Sequence, residues 1–182
     1  MRKLTLIGLF VSIIACNQSK STENLKSEKD YSQEIINSML NKMYVGDLES
    51  KYPLKDTLLF SKEIVELNKK CDSLTILDSE RIATSKNPSD KPIQREGSNI
   101  SSFYEGVTDF KIKEIKENGE NIEVLVTLSN KFYKDQKPWN EKIIFITEGG
   151  LKIDNIFFDE KVNIESSLKN NLKRFSQEKS NN

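Results

Sequence analysis

The chain has 182 residues and no histidine, so Ser-His-Asp, Cys-His and His-zinc chemistry are excluded. Hydrophobic residues make up 36% and charged residues 31%, which suits one domain with a core, a heavily charged surface and some appendages. Lys+Arg and Asp+Glu balance at 28 each, arguing against nucleic acid as a partner, because phosphate binding needs a concentrated basic patch.

Arg2 and Lys3 open the chain, and Leu4 to Ala15 follow as an apolar run broken only by Thr5, Gly8 and Ser12. The run is too short for a membrane-spanning helix, which needs about 20 apolar residues, and it has the layout of a secretory signal. Its end, Ile13-Ile14-Ala15-Cys16, resembles the bacterial lipobox. The resemblance implies removal of residues 1–15, a diacylglyceryl thioether on Cys16 and a place in the bacterial cell envelope, held to the membrane through that lipid. Each buried methylene contributes about 0.8 kcal/mol, so two or three acyl chains anchor durably. Asn17 stands where Asp retains many lipoproteins in the inner membrane, so in a Gram-negative cell the resemblance points to the outer membrane. Residues 16–29 then read as the lipidated cysteine and a polar, flexible tether.

A single domain is expected over residues 30–176, with a frayed tail over 177–182. Asp30 reads as a helix cap with Gln33 three residues on, ahead of a stripe of Ile35, Ile36, Met39, Leu40, Met43 and Tyr44 that Gly46 ends. Tyr52-Pro53 marks a turn. Ser61 reads as the cap of a second helix carrying Ile64, Val65, Leu67, Asn68, Cys71 and Leu74. With Cys16 spent on lipid, Cys71 has no disulfide partner and reads as a buried thiol. Thr84 to Asn99 (TSKNPSDKPIQREGSN) reads as a long mobile surface loop.

Most of the aromatic residues fall between Phe103 and Phe158, where four strands are expected. Val107 to Ile115 is the first, with Phe110 and Ile112 on one face. Asn118-Gly119 signals a hairpin turn, and Ile122, Val124, Val126 and Leu128 alternate along the second strand. Asp135 to Pro138 turns the chain, and Trp139 starts a third strand running through Ile146. After Gly149-Gly150 the last strand carries Leu151 and Ile153 inward. Ile156 and Phe158 resume out of phase, which a bulge at Asp154 or Asn155 would explain. A closing helix is expected from Asn163, with Ile164, Leu168, Leu172 and Phe175 as its stripe.

These elements describe an α+β domain, N-terminal helices packed on a curved four-stranded antiparallel sheet with a C-terminal helix. Leu151-Lys152-Ile153-Asp154-Asn155-Ile156 resembles the closing W-K-I-D-x-I strand of small secreted bacterial proteins in the nuclear-transport-factor-two-like group, in particular a widespread domain of unknown function. Leu151 stands where tryptophan is usual. The resemblance implies a cone whose sheet and helices can enclose a pocket, in a group that includes enzymes, ligand binders and inhibitory modules.

Two functions follow as expectations. The first is a non-enzymatic, lipid-anchored envelope protein that binds another protein, one version being an immunity-type inhibitor of an incoming toxin. The second is a pocket enzyme or small-ligand binder using Tyr104, Asp109, Trp139 and Asp154, where a buried acid would act and aromatics would stack a ligand. These four have no diagnostic spacing, and no catalytic residue is assigned. No cofactor and no metal site is expected, since a single free cysteine without histidine cannot build a zinc site. Replacing Cys16 by Ser is expected to abolish incorporation of labelled fatty acid into the protein in its host; label retained in that variant would refute the anchor.

Overall fold

The computed structural model describes residues 23–46, 53–95, 100–164 and 166–178. Cys16, the signal segment, the first part of the tether and residues 96–99 of the polar loop lie outside them. The chain divides into Met1–Glu34, whose described part is helical, and Ile35–Asn182, which holds everything that follows.

The first helix, α1, spans Glu23–Tyr44 and so begins ahead of the expected cap Asp30. Glu, Leu and Lys in this stretch are strong helix formers and carry the helix without an apolar stripe, so residues 23–29 of the expected tether are helical. Gly46 ends α1 as expected: a Cβ there would stand 2.7 Å from the Lys42 carbonyl oxygen. Ile36, Leu40, Met43 and Tyr44 are buried. After a short 3-10 turn, Pro53–Lys55, helix α2 spans Lys62–Ala83. Ser61 caps it, its hydroxyl accepting the Ile64 N–H. Cys71 is buried, donates its thiol hydrogen to the Leu172 carbonyl, and has its pKa raised by that burial.

The four strands are β1 (Asp109–Asn118), β2 (Asn121–Ser129), β3 (Trp139–Thr147) and β4 (Leu151–Phe157), an antiparallel meander in the order β1-β2-β3-β4. Strand β1 runs past the expected Ile115 because its ladder continues to the turn, where Asn118 pairs with Asn121. The turn therefore centres on Gly119-Glu120, not Asn118-Gly119, with Gly119 at φ 65°. Val124, Val126 and Leu128 on β2, with Trp139, Ile143 and Phe145 on β3, form the buried face against the helices.

Both outer strands carry a bulge. In β4 Ile144 pairs with Asn155 and Phe145 with Ile153, leaving Asp154 as the extra residue. That shift returns both Ile153 and Ile156 to the core face although three positions separate them. Strand β1 uses the same device at Lys113, so that Ile112 faces Val126 and Ile115 faces Val124. The outer edge of β4 is closed by Leu59–Ser61: the Ser61 N–H donates to Ile153 and the Ile153 N–H to Leu59, each at 2.9 Å. The edge at β1 carries exposed Lys111, Lys113 and Lys116, with a bulge among them, a combination that discourages strand addition.

Helix α3 spans Leu168–Glu178, starting later than expected. Asn163 stays in a turn and Ile164 is 91% exposed, because the Phe158 N–H holds the Ser166 carbonyl and Ser167 becomes the cap, its hydroxyl accepting the Asn170 N–H. Leu168, Leu172 and Phe175 are buried as a stripe. Among the described residues no helix is long and apolar enough to cross a membrane. Leu172→Ala would open a cavity between α3 and α2; a loss of roughly 2–5 kcal/mol is expected in a urea denaturation series.

Candidate functional site

Inward alternation from Trp139 to Phe145 forces Glu141 onto the core face, where the residue is 1% exposed. A buried carboxyl needs partners, and this one has them. Oε1 accepts the backbone N–H of Ser102, the Ser102 hydroxyl at 2.8 Å and the Trp139 indole N–H at 3.0 Å; Oε2 faces the Tyr44 hydroxyl at 2.9 Å. Burial raises the Glu141 pKa, and the bonds from Ser102, Trp139 and Tyr44 pull against that rise. Tyr44 is also pushed well up, by burial first and then by Glu141.

Around this node three loops meet at one end of the sheet. The segment ahead of β1 is held through Ser102, whose hydroxyl also accepts the Asp159 N–H at 2.7 Å from the segment after β4. The β2–β3 loop is tied in by Asn130, whose side-chain amide donates to the carbonyls of Glu105 and Gly106 at 3.2 and 3.0 Å. Its carbonyl oxygen accepts the Phe132 N–H. The ring of Phe103 stands edge-on to Tyr133 at 5.3 Å and lies 5.4 Å from Trp139.

Large apolar side chains project from all three loops. Tyr104 is 72% exposed, Phe132 74% and Ile164 91%, with Tyr133 beside them at 42%. The Lys131 ammonium sits 5.2 Å from the centre of the Phe132 ring. A hydrogen bond to Glu105 raises the Tyr133 pKa. Lys131, Lys134, Lys137 and Lys161 lie on the same loops as Glu105, Asp135 and Glu160, so these loops carry both signs of charge along with the exposed apolar side chains.

Of the residues singled out in the sequence, Tyr104, Asp109 and Trp139 fall at this end and Asp154 does not. Trp139 is 2% exposed and its polar atom is committed to Glu141, so it is a core residue of the node. Asp109 is exposed, and its carboxylate accepts the N–H of Phe110. Asp154, the bulge residue, binds the Lys169 ammonium at 2.7 Å, while the neighbouring Asn155 side chain accepts the Lys169 N–H. Burial opposes the charge on Lys169, but its bonds to Asp154 and Glu63 outweigh burial and raise its pKa. That bulge docks α3. Sequence reasoning passed over Glu141, although its parity with Trp139, Ile143 and Phe145 marks it as inward.

A separate cleft of about 250 Å³ lies between α2 and the β3–β4 turn, lined by Thr57, Phe60, Lys62, Val65, Glu66, Lys69, Glu148 and Lys152. Many of its polar groups bind one another: Lys152 donates to the carbonyls of Thr57 and Leu58, Glu148 accepts the Lys62 N–H, and Lys69 pairs with Glu66. No known family, no curated protein and no solved structure matches the chain.

Ser102→Ala removes one donor to Glu141 and the acceptor for Asp159. A loss of about 1–3 kcal/mol is expected by chemical denaturation; hydrogen exchange should report it in residues 100–106 and 159–163 together. Faster exchange in one segment alone would show that the node does not couple the loops.

Proposed function

We propose that this chain is a lipid-anchored envelope protein whose domain acts by binding another protein through the loop end of its sheet, without catalysis. The observation that carries the reading is the set of exposed apolar side chains, Tyr104, Phe132, Tyr133 and Ile164, presented from three loops that also carry both signs of charge. Aromatic residues at the centre and charges around the edge are the composition of protein interfaces. Acidic Glu105, Asp135 and Glu160 on those loops favour a protein over an anionic lipid surface. The inward acid, which a pocket enzyme would need free, has both oxygens engaged by the protein itself.

The fold belongs, on this reading, with the nuclear-transport-factor-two-like cones. Bulges in both outer strands, which bend a sheet, and helices confined to one face support that placement. The anchor at Cys16, inferred from the lipobox pattern, would hold the domain at one membrane face and raise its effective concentration for partners there. Immunity-type inhibition of a toxin is one form such binding would take.

The test compares tagged full-length protein with its Tyr104→Ala/Phe132→Ala variant as bait in envelope extract. A partner retained at near-stoichiometric yield through salt washing, and lost by at least about tenfold in the variant, is expected for hot-spot side chains. Equal retention by both proteins would move the interface elsewhere. Absence of a partner, together with thermal stabilisation by a small molecule, would sink the reading and turn attention to pockets.

A further inference from the structure

The polarity of the bonds around Glu141 fixes where a proton can sit. Facing Oε1 are a backbone N–H and an indole N–H, which only donate, and the Ser102 hydroxyl. That hydroxyl accepts the Asp159 N–H and so turns its own hydrogen toward Glu141. Oε1 is therefore an acceptor in every state. Oε2 faces the Tyr44 hydroxyl, which can either donate or accept.

We propose that Glu141 is a proton-operated latch beneath the loop end. It takes up and releases a proton at Oε2 while Tyr44 keeps its own, and the exchange sets how firmly the three loops are held. With Glu141 protonated, Oε2–H donates to the Tyr44 oxygen. When the proton leaves to solvent, the Tyr44 O–H rotates and donates to the anionic Oε2. All four contacts survive, but the anion sits in a desolvated site. The groups facing it are Tyr44 from α1, Ser102 from the loop and Trp139 from β3. Val126 stands opposite it on β2. The nearest lysine along β3, Lys142, reaches instead to the Phe157 ring of β4 and to Glu123 of β2. Asp159 directs its carboxylate to the N–H groups of Asn140 and Lys161. Among the described residues no lysine or arginine is recorded in an ion pair with the Glu141 carboxylate.

Burial shifts the Glu141 carboxyl upward against the pull of its hydrogen bonds. An acid whose folded pKa lies above its unfolded value, about 4.3, lends stability that is complete below the unfolded pKa and is lost as pH rises through the folded one. The loop end should thus open more often at higher pH. The latch stands on the node's geometry and does not require the partner reading; a partner bound at this end would inherit the same pH dependence.

Trp139 is the sole tryptophan and its indole N–H belongs to the node, so its emission reports on the latch without a label. The full-length protein, its Glu141→Gln variant and its Tyr44→Phe variant are titrated by tryptophan emission and by amide exchange over residues 100–106. Wild type should show an emission step, with exchange relative to Glu141→Gln rising by about tenfold for each pH unit the folded pKa stands above the free value. Gln accepts at Oε1 and donates its amide to Tyr44, so this variant should fold and lack the step. Tyr44→Phe takes a donor from the anion and should move the midpoint to higher pH. A wild type without a step, a step persisting in Glu141→Gln, failure of that variant to fold, or an unmoved midpoint in Tyr44→Phe would each overturn the proposal.

Discussion

A carboxyl withdrawn from water gives up several kcal/mol of hydration if it stays charged, and Glu141 is compensated from three separate places in the chain. Tyr44 arrives at the end of α1, Ser102 from the segment ahead of β1, and Trp139 from two residues back along β3. Satisfying one side chain therefore fixes the end of a helix, the path of a loop and the start of a strand at once. The same hydroxyl of Ser102 collects the Asp159 N–H, which extends the constraint to the segment after β4. Removing any member strands a polar group in the core, a larger penalty than the net worth of the bond itself.

A second polar cluster is organised by the bulge at Asp154. An extra residue in β4 returns Ile156 to the buried face, and its two polar side chains are not wasted. Asp154 takes the Lys169 ammonium and Asn155 its backbone N–H, so the irregularity in the sheet becomes the seat of α3. Glu63 on α2 joins through Lys169 and Lys173, and its pKa is lowered by those two hydrogen bonds. The bulge at Lys113 sits instead among exposed residues of β1. It belongs to the open edge, where an interrupted, lysine-bearing strand resists pairing with another chain.

These two clusters divide the labour between structure and presentation. At the α3 end the polar groups are consumed in packing, and in the cleft beside α2 many of them bind each other. At the loop end Glu141, Ser102 and Asn130 are engaged beneath the surface, while Tyr104, Phe132 and Ile164 face outward. Hydrophobic side chains exposed singly mean little, but here they stand on loops cross-tied by Ser102, Asn130 and the Phe103 ring. Rigid aromatic side chains lose little entropy on binding.

Local sequence chemistry determined a good deal of this protein. The cap at Ser61, the glycine stop at Gly46, the strand alternation of β2 and the bulge at Asp154 depend on residues close in the chain, and all are legible there. The anchor proposed for Cys16 rests likewise on a pattern in residues 2–16 read from sequence alone. Tertiary structure decided what local preference leaves balanced. Asn163 could cap a helix as well as Ser167 could, and the bond from Phe158 to Ser166 selects the later start. Glu141 shows the limit most clearly. Strand parity turns it inward, yet whether a buried acid is a reactive group or a structural node depends on what meets it. Tyr44 and Ser102 lie 97 and 39 residues away in sequence, and no local pattern encodes a contact that only folding brings within hydrogen-bond reach.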